Sequence, residues 1–278
     1  MKKILKFSLK QQILILILAI CSVIAMFPFA VMVLLSGKTY AQRMYSIWNL
    51  PSPIQWGNYL FGLHVTMQYI GNSIIVSGAI LLITVFVATI AAYAFSRLNF
   101  KGKKISFTLI ISLLMVPGIL TLIPLFLVVR SLGLLNTYWG IILPQVATSL
   151  PVAIYLLKTF FDNVPDDLFS AARVDGAGHF KTMFHILLPL CMPVFSTLAV
   201  INVLASWNNY IWVLLCVKDA TLRTIPLGLA FIQTEDYLKY KPGLTMAAYL
   251  IASLPMVIIF FIALKPFMKG MTQGAVKF

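Results

Sequence analysis

Long apolar stretches separated by short polar ones dominate this chain. Six of them carry no Asp, Glu, Lys or Arg and reach the roughly 20 residues that cross a bilayer core: 13–35, 70–96, 105–129, 131–157, 182–217 and 242–264. Runs such as ILILILAI at 13–20 are apolar at every position. That excludes the alternating strands of a membrane β-barrel. The pattern predicts an all-α, polytopic membrane protein with six transmembrane helices, occupying residues 1–278 as a single domain. The first helix follows Lys2, Lys3, Lys6 and Lys10 as a signal peptide would. Its apolar run continues to Leu35 without a small-residue cleavage site, so it reads as a retained signal anchor.

Composition agrees with the pattern. Of 278 residues 61% are hydrophobic and 10% charged, and mean hydropathy is +0.97, which excludes a disordered tail, a collagen-like chain and an ordinary soluble enzyme. The net charge of +14 could signal nucleic acid, but its distribution decides otherwise. Lys2, Lys3, Lys6, Lys10, Arg97, Lys101, Lys103, Lys104, Lys158, Arg173, Lys181, Lys265, Lys269 and Lys277 fall on one side of the six-helix topology. The other side receives Lys38, Arg43, Arg130, Lys218, Arg223, Lys239 and Lys241. Because basic residues collect on the cytoplasmic side, both termini are expected there, and no nucleic-acid partner is implied. Residues 36–69 read as an interfacial loop outside, with the second helix opening near Asn72; 131–137 reads as a tight outer hairpin and 218–241 as a longer outer loop. Cys21, Cys191 and Cys216 are odd in number, lie in apolar segments and lack zinc-type spacing.

Several chemical readings fail on inspection. Ser36-Gly37-Lys38-Thr39 resembles the tail of a phosphate-binding loop, but Met32 stands where that loop needs glycine. His64, His179 and His185 have no acid or thiol neighbours at triad or ligand spacing. Asp162, Asp166, Asp167, Asp175, Asp219, Glu235 and Asp236 all lie outside the six stretches, which leaves no intramembrane carboxylate to couple an ion gradient. Energy for uphill transport is therefore expected to enter from outside the membrane domain.

Four of those acids fall in 162–175, the longest polar segment on the cytoplasmic side. Asp162 or Asn163 is expected to cap a helix there, with Pro165, Asp166 and Asp167 in its first turn. Gly176 and Gly178 end that helix, and a second one runs from His179 to Pro189. The small pair Ala171-Ala172 would let another surface approach closely; an ordinary surface loop accounts for the same residues.

Ser170-Ala171-Ala172, Asp175-Gly176-Ala177 and Ile186-Leu187-Leu188-Pro189 together resemble the EAA loop of ABC importer membrane subunits. Asn72-Ser73, Tyr93-Ala94-Phe95-Ser96-Arg97, Trp207-Asn208-Asn209-Tyr210, Pro226-Leu227-Gly228-Leu229 and the stretch from Gly270 to Lys277 resemble the carbohydrate branch of that family, of the smaller maltose permease subunit type. The resemblance implies a type I ABC importer permease fold in a bacterial or archaeal cytoplasmic membrane, and no catalysis by this chain. It implies a second homologous permease subunit, two cytoplasmic ATPase subunits that bind ATP and Mg, and an extracytoplasmic solute-binding protein. The loop at about 159–189 would dock on the ATPase through Ser170, Ala171, Ala172, Asp175, Gly176, Ala177 and Gly178. Ser170 departs from the pattern, which has Glu there; Asp166, Asp167, Arg173 or Asp175 would supply the missing polar contact.

For the solute path, Asn202, Asn208 and Asn209 can pair with sugar hydroxyls and Trp207 can stack on a sugar ring. Interhelical hydrogen bonding accounts for the same residues. Pro117, Pro124, Pro144, Pro151 and Pro255 are candidates to bend path-lining helices. The resulting expectation is a sugar or oligosaccharide importer subunit. Its alternatives are a permease for another solute such as glycerol phosphate, and a self-sufficient secondary carrier.

Overall fold

The computed structural model describes residues 8–233 and 241–275, excepting the side chains of Ala263 and of 265–275. Lys2, Lys3, Lys6, Glu235, Asp236, Lys239 and Lys277 thus lie outside the described residues, as do the side chains of Lys265 and Lys269. Among the described residues there is helix and no strand. The chain forms α1 (Leu9–Ser36), α2 (Tyr40–Tyr45), α3 (Trp56–Arg97), α4 (Lys103–Ser112), α5 (Gly118–Ser131), α6 (Tyr138–Asp162), α7 (Asp166–Val174), α8 (His179–Thr182), α9 (Leu188–Leu190), α10 (Met192–Trp207), α11 (Ile211–Cys216), α12 (Ile225–Ile232) and α13 (Pro242–Ala275). A π-helical turn, Met183–Leu187, joins α8 to α9.

Among the described residues four helices are long and apolar enough to cross a membrane unbroken, and counting each of two bent pairs as one span brings the number up to six. The expected third helix turns by 106° between Met115 and Gly118, and the fifth by 78° between Leu190 and Met192. Proline explains both breaks, since it removes a backbone donor and pushes its predecessor out of helical geometry. Pro117 sits extended ahead of α5, while Pro189 and Pro193 flank the second bend. By contrast Pro124, Pro144 and Pro151 lie inside continuous helices.

Two other expectations are corrected. The second long helix opens at Trp56, not near Asn72. The polar residues of 56–72 do not break it, because their side chains bond to loop backbone: Asn58 donates to Ser36 O and Lys38 O, and Asn72 donates to Thr221 O and Arg223 O. Nor does Asp162 or Asn163 cap α7. Asp162 ends α6 and accepts from Ser96 Oγ (2.7 Å) and Lys158 Nζ (2.5 Å), Asn163 donates to Thr159 O, and the cap position falls to Pro165, which makes no side-chain cap bond.

The chain divides into two compact units, Met1–Met67 with Leu229–Leu254 and Gln68–Gly228 with Pro255–Phe278. In the first, α1 is opened by a reciprocal Ser8–Gln11 capping box, and most of its apolar side chains stay exposed. Its end is knitted to the start of α3: Ser36 Oγ and Tyr59 OH are 2.8 Å apart, and buried Lys38 donates Nζ to Ser46 O and Ile47 O at 3.0 and 2.7 Å. Gly62 lies against the Ala247–Ala248 backbone, where a Cβ would come within 2.9 Å of Ala248 N. This is the small-residue contact that lets membrane helices approach closely.

The second unit has two apolar cores. Ala88, Ala92, Ala153, Leu157, Phe161, Phe169, Met183, Leu187 and Leu198 form one, drawing α7 and the π-turn against α3, α6 and α10. Val76, Ile80, Ile141, Trp212, Val213 and Leu227 anchor the other, where Trp212 Nε1 donates to Gly140 O at 3.1 Å.

Candidate functional site

The helix–corner–helix expected at 162–189 is present and firmly seated. α7 buries Phe169 and Ala172 and exposes Leu168, Ser170, Ala171, Arg173 and Val174. Gly176 ends it with φ +74°, in the left-handed region that glycine occupies without steric cost. Ala177 N then donates to Ala172 O (2.9 Å), satisfying a carbonyl of the last turn. Gly178 is extended and caps α8 rather than ending α7. Of the residues expected to dock, Ser170, Ala171, Asp175, Gly176 and Gly178 are exposed, Ala177 is half-buried, and Ala172 is turned into the core. Val174 and Phe180, 87% and 71% exposed, extend the outward face with apolar surface. At the position of the departed glutamate, Arg173 Nη2 donates to Ser170 Oγ at 3.2 Å.

What seats this corner is Arg97, the last residue of α3. Its guanidinium donates to the Asp166 carboxylate, to Phe161 O and, at 2.6 Å, to Val164 O. It also lies 3.9 Å from the centroid of the Phe169 ring, a cation–π distance. One planar fork thus joins the end of α3, the last turn of α6 and the start of α7, a task suited to arginine's fixed donor geometry. Tyr93 OH and His179 Nδ1 share a 3.1 Å hydrogen bond that ties α3 to α8. In the sequence Tyr93 and Arg97 stand out only as members of a motif, and Arg97 as a charge that sets topology; nothing local to either assigns it this role.

A cavity of about 260 Å³ opens beside α6 and α10. Gln145, Thr148 and Ser149 of α6 line it together with Asn202 and Ser206 of α10 and Asn209 beyond it, over an apolar floor that includes Ile80. No charged side chain lines it. Of the four path residues expected from sequence, Asn202 and Asn209 face this space; Trp207 is buried elsewhere, and Asn208 is exposed, with its amide donating to Leu204 O. Trp207 to Tyr210 do not sit within one helix, because α10 ends at Trp207 and α11 begins at Ile211. Among the described residues no cluster of His, Cys, Asp and Glu could hold a metal.

Comparison with known proteins matches residues 84–273 to the family described as binding-protein-dependent transport system inner membrane component. The chain belongs to this family. It is a multi-pass membrane subunit of an ABC importer. The permease is 36% identical over 209 residues to the trehalose/maltose transport system permease protein MalG of Thermococcus litoralis, covering 75% of each chain. It is 30% identical to the arabinooligosaccharides transport system permease protein AraQ of Bacillus subtilis over 98% of each, and 31% identical to that organism's melibiose/raffinose/stachyose import permease protein MelC, over 96% and 97%. A chain from the crystal structure of a bacterial ABC transporter involved in the import of the acidic polysaccharide alginate superposes with a TM-score of 0.81, covering 93% of the permease and 98% of that chain. At 19% identity the two share a fold.

Proposed function

We propose that this permease forms half of the translocation path for a neutral sugar or short oligosaccharide. It would pair with a second homologous permease, two cytoplasmic ATPase subunits that bind ATP and Mg, and an extracytoplasmic solute-binding protein. The observation that carries the solute class is the cavity wall: amides and hydroxyls without a single charge. A phosphate ester such as glycerol phosphate would require a cation there to offset the cost of desolvating its charge.

In this reading the corner formed by Ser170, Ala171, Ala172, Asp175, Gly176, Ala177 and Gly178 is the seat of the ATPase, with both termini on its side of the membrane. Arg97, Lys101, Lys103, Lys104, Arg173 and Lys181 gather on the elements around that corner, as the cytoplasmic side demands. Exposed Val174 and Phe180 give the partner apolar area to cover, and Arg173 beside Ser170 offers a replacement polar contact of opposite charge to the motif glutamate, one that donates to the partner. Displacement of the corner on ATP binding passes through Arg97 into α3 and α6, whose far portions border the cavity.

The test is reconstitution of the four components in proteoliposomes with radiolabelled maltose, trehalose, raffinose and glycerol 3-phosphate. Uptake of a neutral saccharide that needs ATP and the binding protein is the expected result. Preferential glycerol phosphate uptake would overturn the solute class, and uptake by the permease without ATPase would overturn the coupling.

A further inference from the structure

The segment between α1 and α3, residues 37–56, is built inside out. Its polar side chains turn inward and hold backbone. Lys38, 2% exposed, donates to Ser46 O and Ile47 O; Gln42 Nε2 donates to Ser52 O at 2.7 Å; and Asn58, in the first turn of α3, donates to Ser36 O and Lys38 O. Its apolar side chains turn outward instead: Tyr45 is 88% exposed, Leu50 82%, Trp56 68% and Trp48 66%, and Met44 and Ile47 are exposed as well. A segment surrounded by water does the reverse, burying large apolar side chains and exposing lysine. Residues 37–56 also contain no acid and, besides Lys38, one charged residue, Arg43.

We propose that this segment is an interfacial anchor, lying in the leaflet at the C-terminal end of α1 and seating Tyr45, Trp48, Leu50 and Trp56 among phospholipid headgroups and upper acyl chains. Its level follows from two helices. The uncharged runs 13–35 of α1 and 242–264 of α13 each measure about 34 Å, close to the roughly 30 Å of a bilayer core. The end of the first meets the start of the second, since a Cβ on Gly243 would lie 2.3 Å from Lys38 O. Lys38 therefore marks the rim of the hydrocarbon. From that rim the segment folds back along α1, bringing the Trp48 ring to 6.1 Å from that of Phe27, which precedes the helix end at Ser36 by about 14 Å of rise. Phe27 is itself exposed, and none of the apolar window of α1 is buried, so Trp48 continues the outer surface of a membrane-crossing helix. Tyr and Trp, apolar rings with one polar edge, collect where hydrocarbon meets headgroups. A soluble binding protein suits the surface less well, because it docks and departs, and each departure would return these side chains to water. The anchor is independent of the solute class.

The test replaces Tyr45, Trp48 or Leu50, one at a time, by the photoreactive p-benzoyl-phenylalanine in the full importer. Each variant is reconstituted in nanodiscs of phosphatidylcholine and phosphatidylglycerol with the binding protein present, illuminated, and its adducts identified by mass spectrometry. Asp167, exposed on α7 and replaced in the same way, is the control. Phospholipid adducts at least fivefold above the control are expected at all three positions. Adducts to the second permease or to the binding protein in their place would overturn the anchor and name the true occupant. No adduct above the control would overturn it too, because a ring in lipid has C–H bonds within reach. None of the three side chains makes the backbone ties listed above, so a variant that fails to assemble leaves two others, and lipid enrichment in none of the assembled variants would sink the proposal.

Discussion

Arg97 and Asp166, 69 positions apart in sequence, are joined end to end: the last residue of α3 donates to the first residue of α7. The arginine side chain is 14% exposed and the aspartate 86%. That asymmetry identifies which partner matters. An ion pair with one side in water contributes little, about 0–1 kcal/mol, whereas the buried guanidinium also satisfies two carbonyls and covers Phe169.

Arg97→Ala is therefore expected to destabilise the corner by about 2–4 kcal/mol, since two helix-end carbonyls and an aromatic face lose their partner. Asp166→Asn should cost less than about 1 kcal/mol. In the reconstituted importer, Arg97→Ala should abolish binding-protein-stimulated ATP hydrolysis while Asp166→Asn retains at least half of it. Equal effects would mean that the ion pair, rather than the carbonyl and ring contacts, holds α7.

The two corner glycines separate strain from docking. Gly176 needs its glycine for φ +74°, yet a Cβ there would meet nothing within 4 Å. Gly176→Ala should cost about 1–2 kcal/mol through backbone conformation alone. Gly178 has an ordinary φ of −72° and open space around it, so Gly178→Leu should leave the permease's thermal midpoint in detergent within a degree or two. If the corner seats the ATPase, Gly178→Leu should nevertheless reduce ATPase co-purification and stimulated hydrolysis at least fivefold. Wild-type coupling in that variant would remove Gly178 from the docking surface.

Much of this was legible before any coordinates, and the reasons are physical. Bilayer thickness fixes the length of an uncharged run, so six stretches could be counted, and a glycine corner between two capped helices announces itself locally. Arg97 was not legible in its role. A basic residue ending a membrane helix satisfies the rule for topology, and nothing in its neighbourhood reveals carbonyls more than sixty residues away. Pro117 was read as a bend and proved to be one, whereas Pro144 and Pro151 looked equivalent and sit in an unbroken helix. Packing around each proline, absent from a string of letters, decides between those outcomes. The cavity escaped for the same reason: Asn202 and Asn209 could be chosen by type, but their company with Gln145, Thr148 and Ser149 depends on how α6 packs beside α10.

In the first unit, Gly243 is the tightest point. A Cβ there would lie 2.3 Å from Lys38 O and 2.7 Å from Asn58 Nδ2, both held by hydrogen bonding between Asn58 and Lys38 O. Gly243→Ala should lower stability by about 1–3 kcal/mol as the backbone shifts to make room. Gly71→Ala, within α3 and with nothing inside 4 Å, should instead be neutral or stabilising by up to about 1 kcal/mol. Thermal unfolding of the two purified variants in detergent checks the contrast, and a fall in both midpoints would show that helix packing is not what distinguishes them.

Asn136 holds two loops of the second unit together. Its Oδ1 accepts from Lys218 N at 2.9 Å and Asp219 N at 2.8 Å, and its own N donates to Cys216 O at 2.8 Å. Its φ of +58° is the single positive value at a non-glycine residue among the described residues, and asparagine tolerates that region better than most side chains. Conformation and acceptor can be separated by substitution. Asn136→Gly keeps the backbone and loses the acceptor; Asn136→Ala loses both; Asn136→Asp keeps two oxygens toward the same amides. Because the residue is exposed, water recovers part of each loss. Alanine should therefore cost about 1–2 kcal/mol, glycine about half of that, and aspartate the least. Alanine and glycine variants of equal stability would assign the whole effect to the lost carbonyl and none to the backbone, whereas a glycine variant as stable as wild type would assign it to the backbone alone.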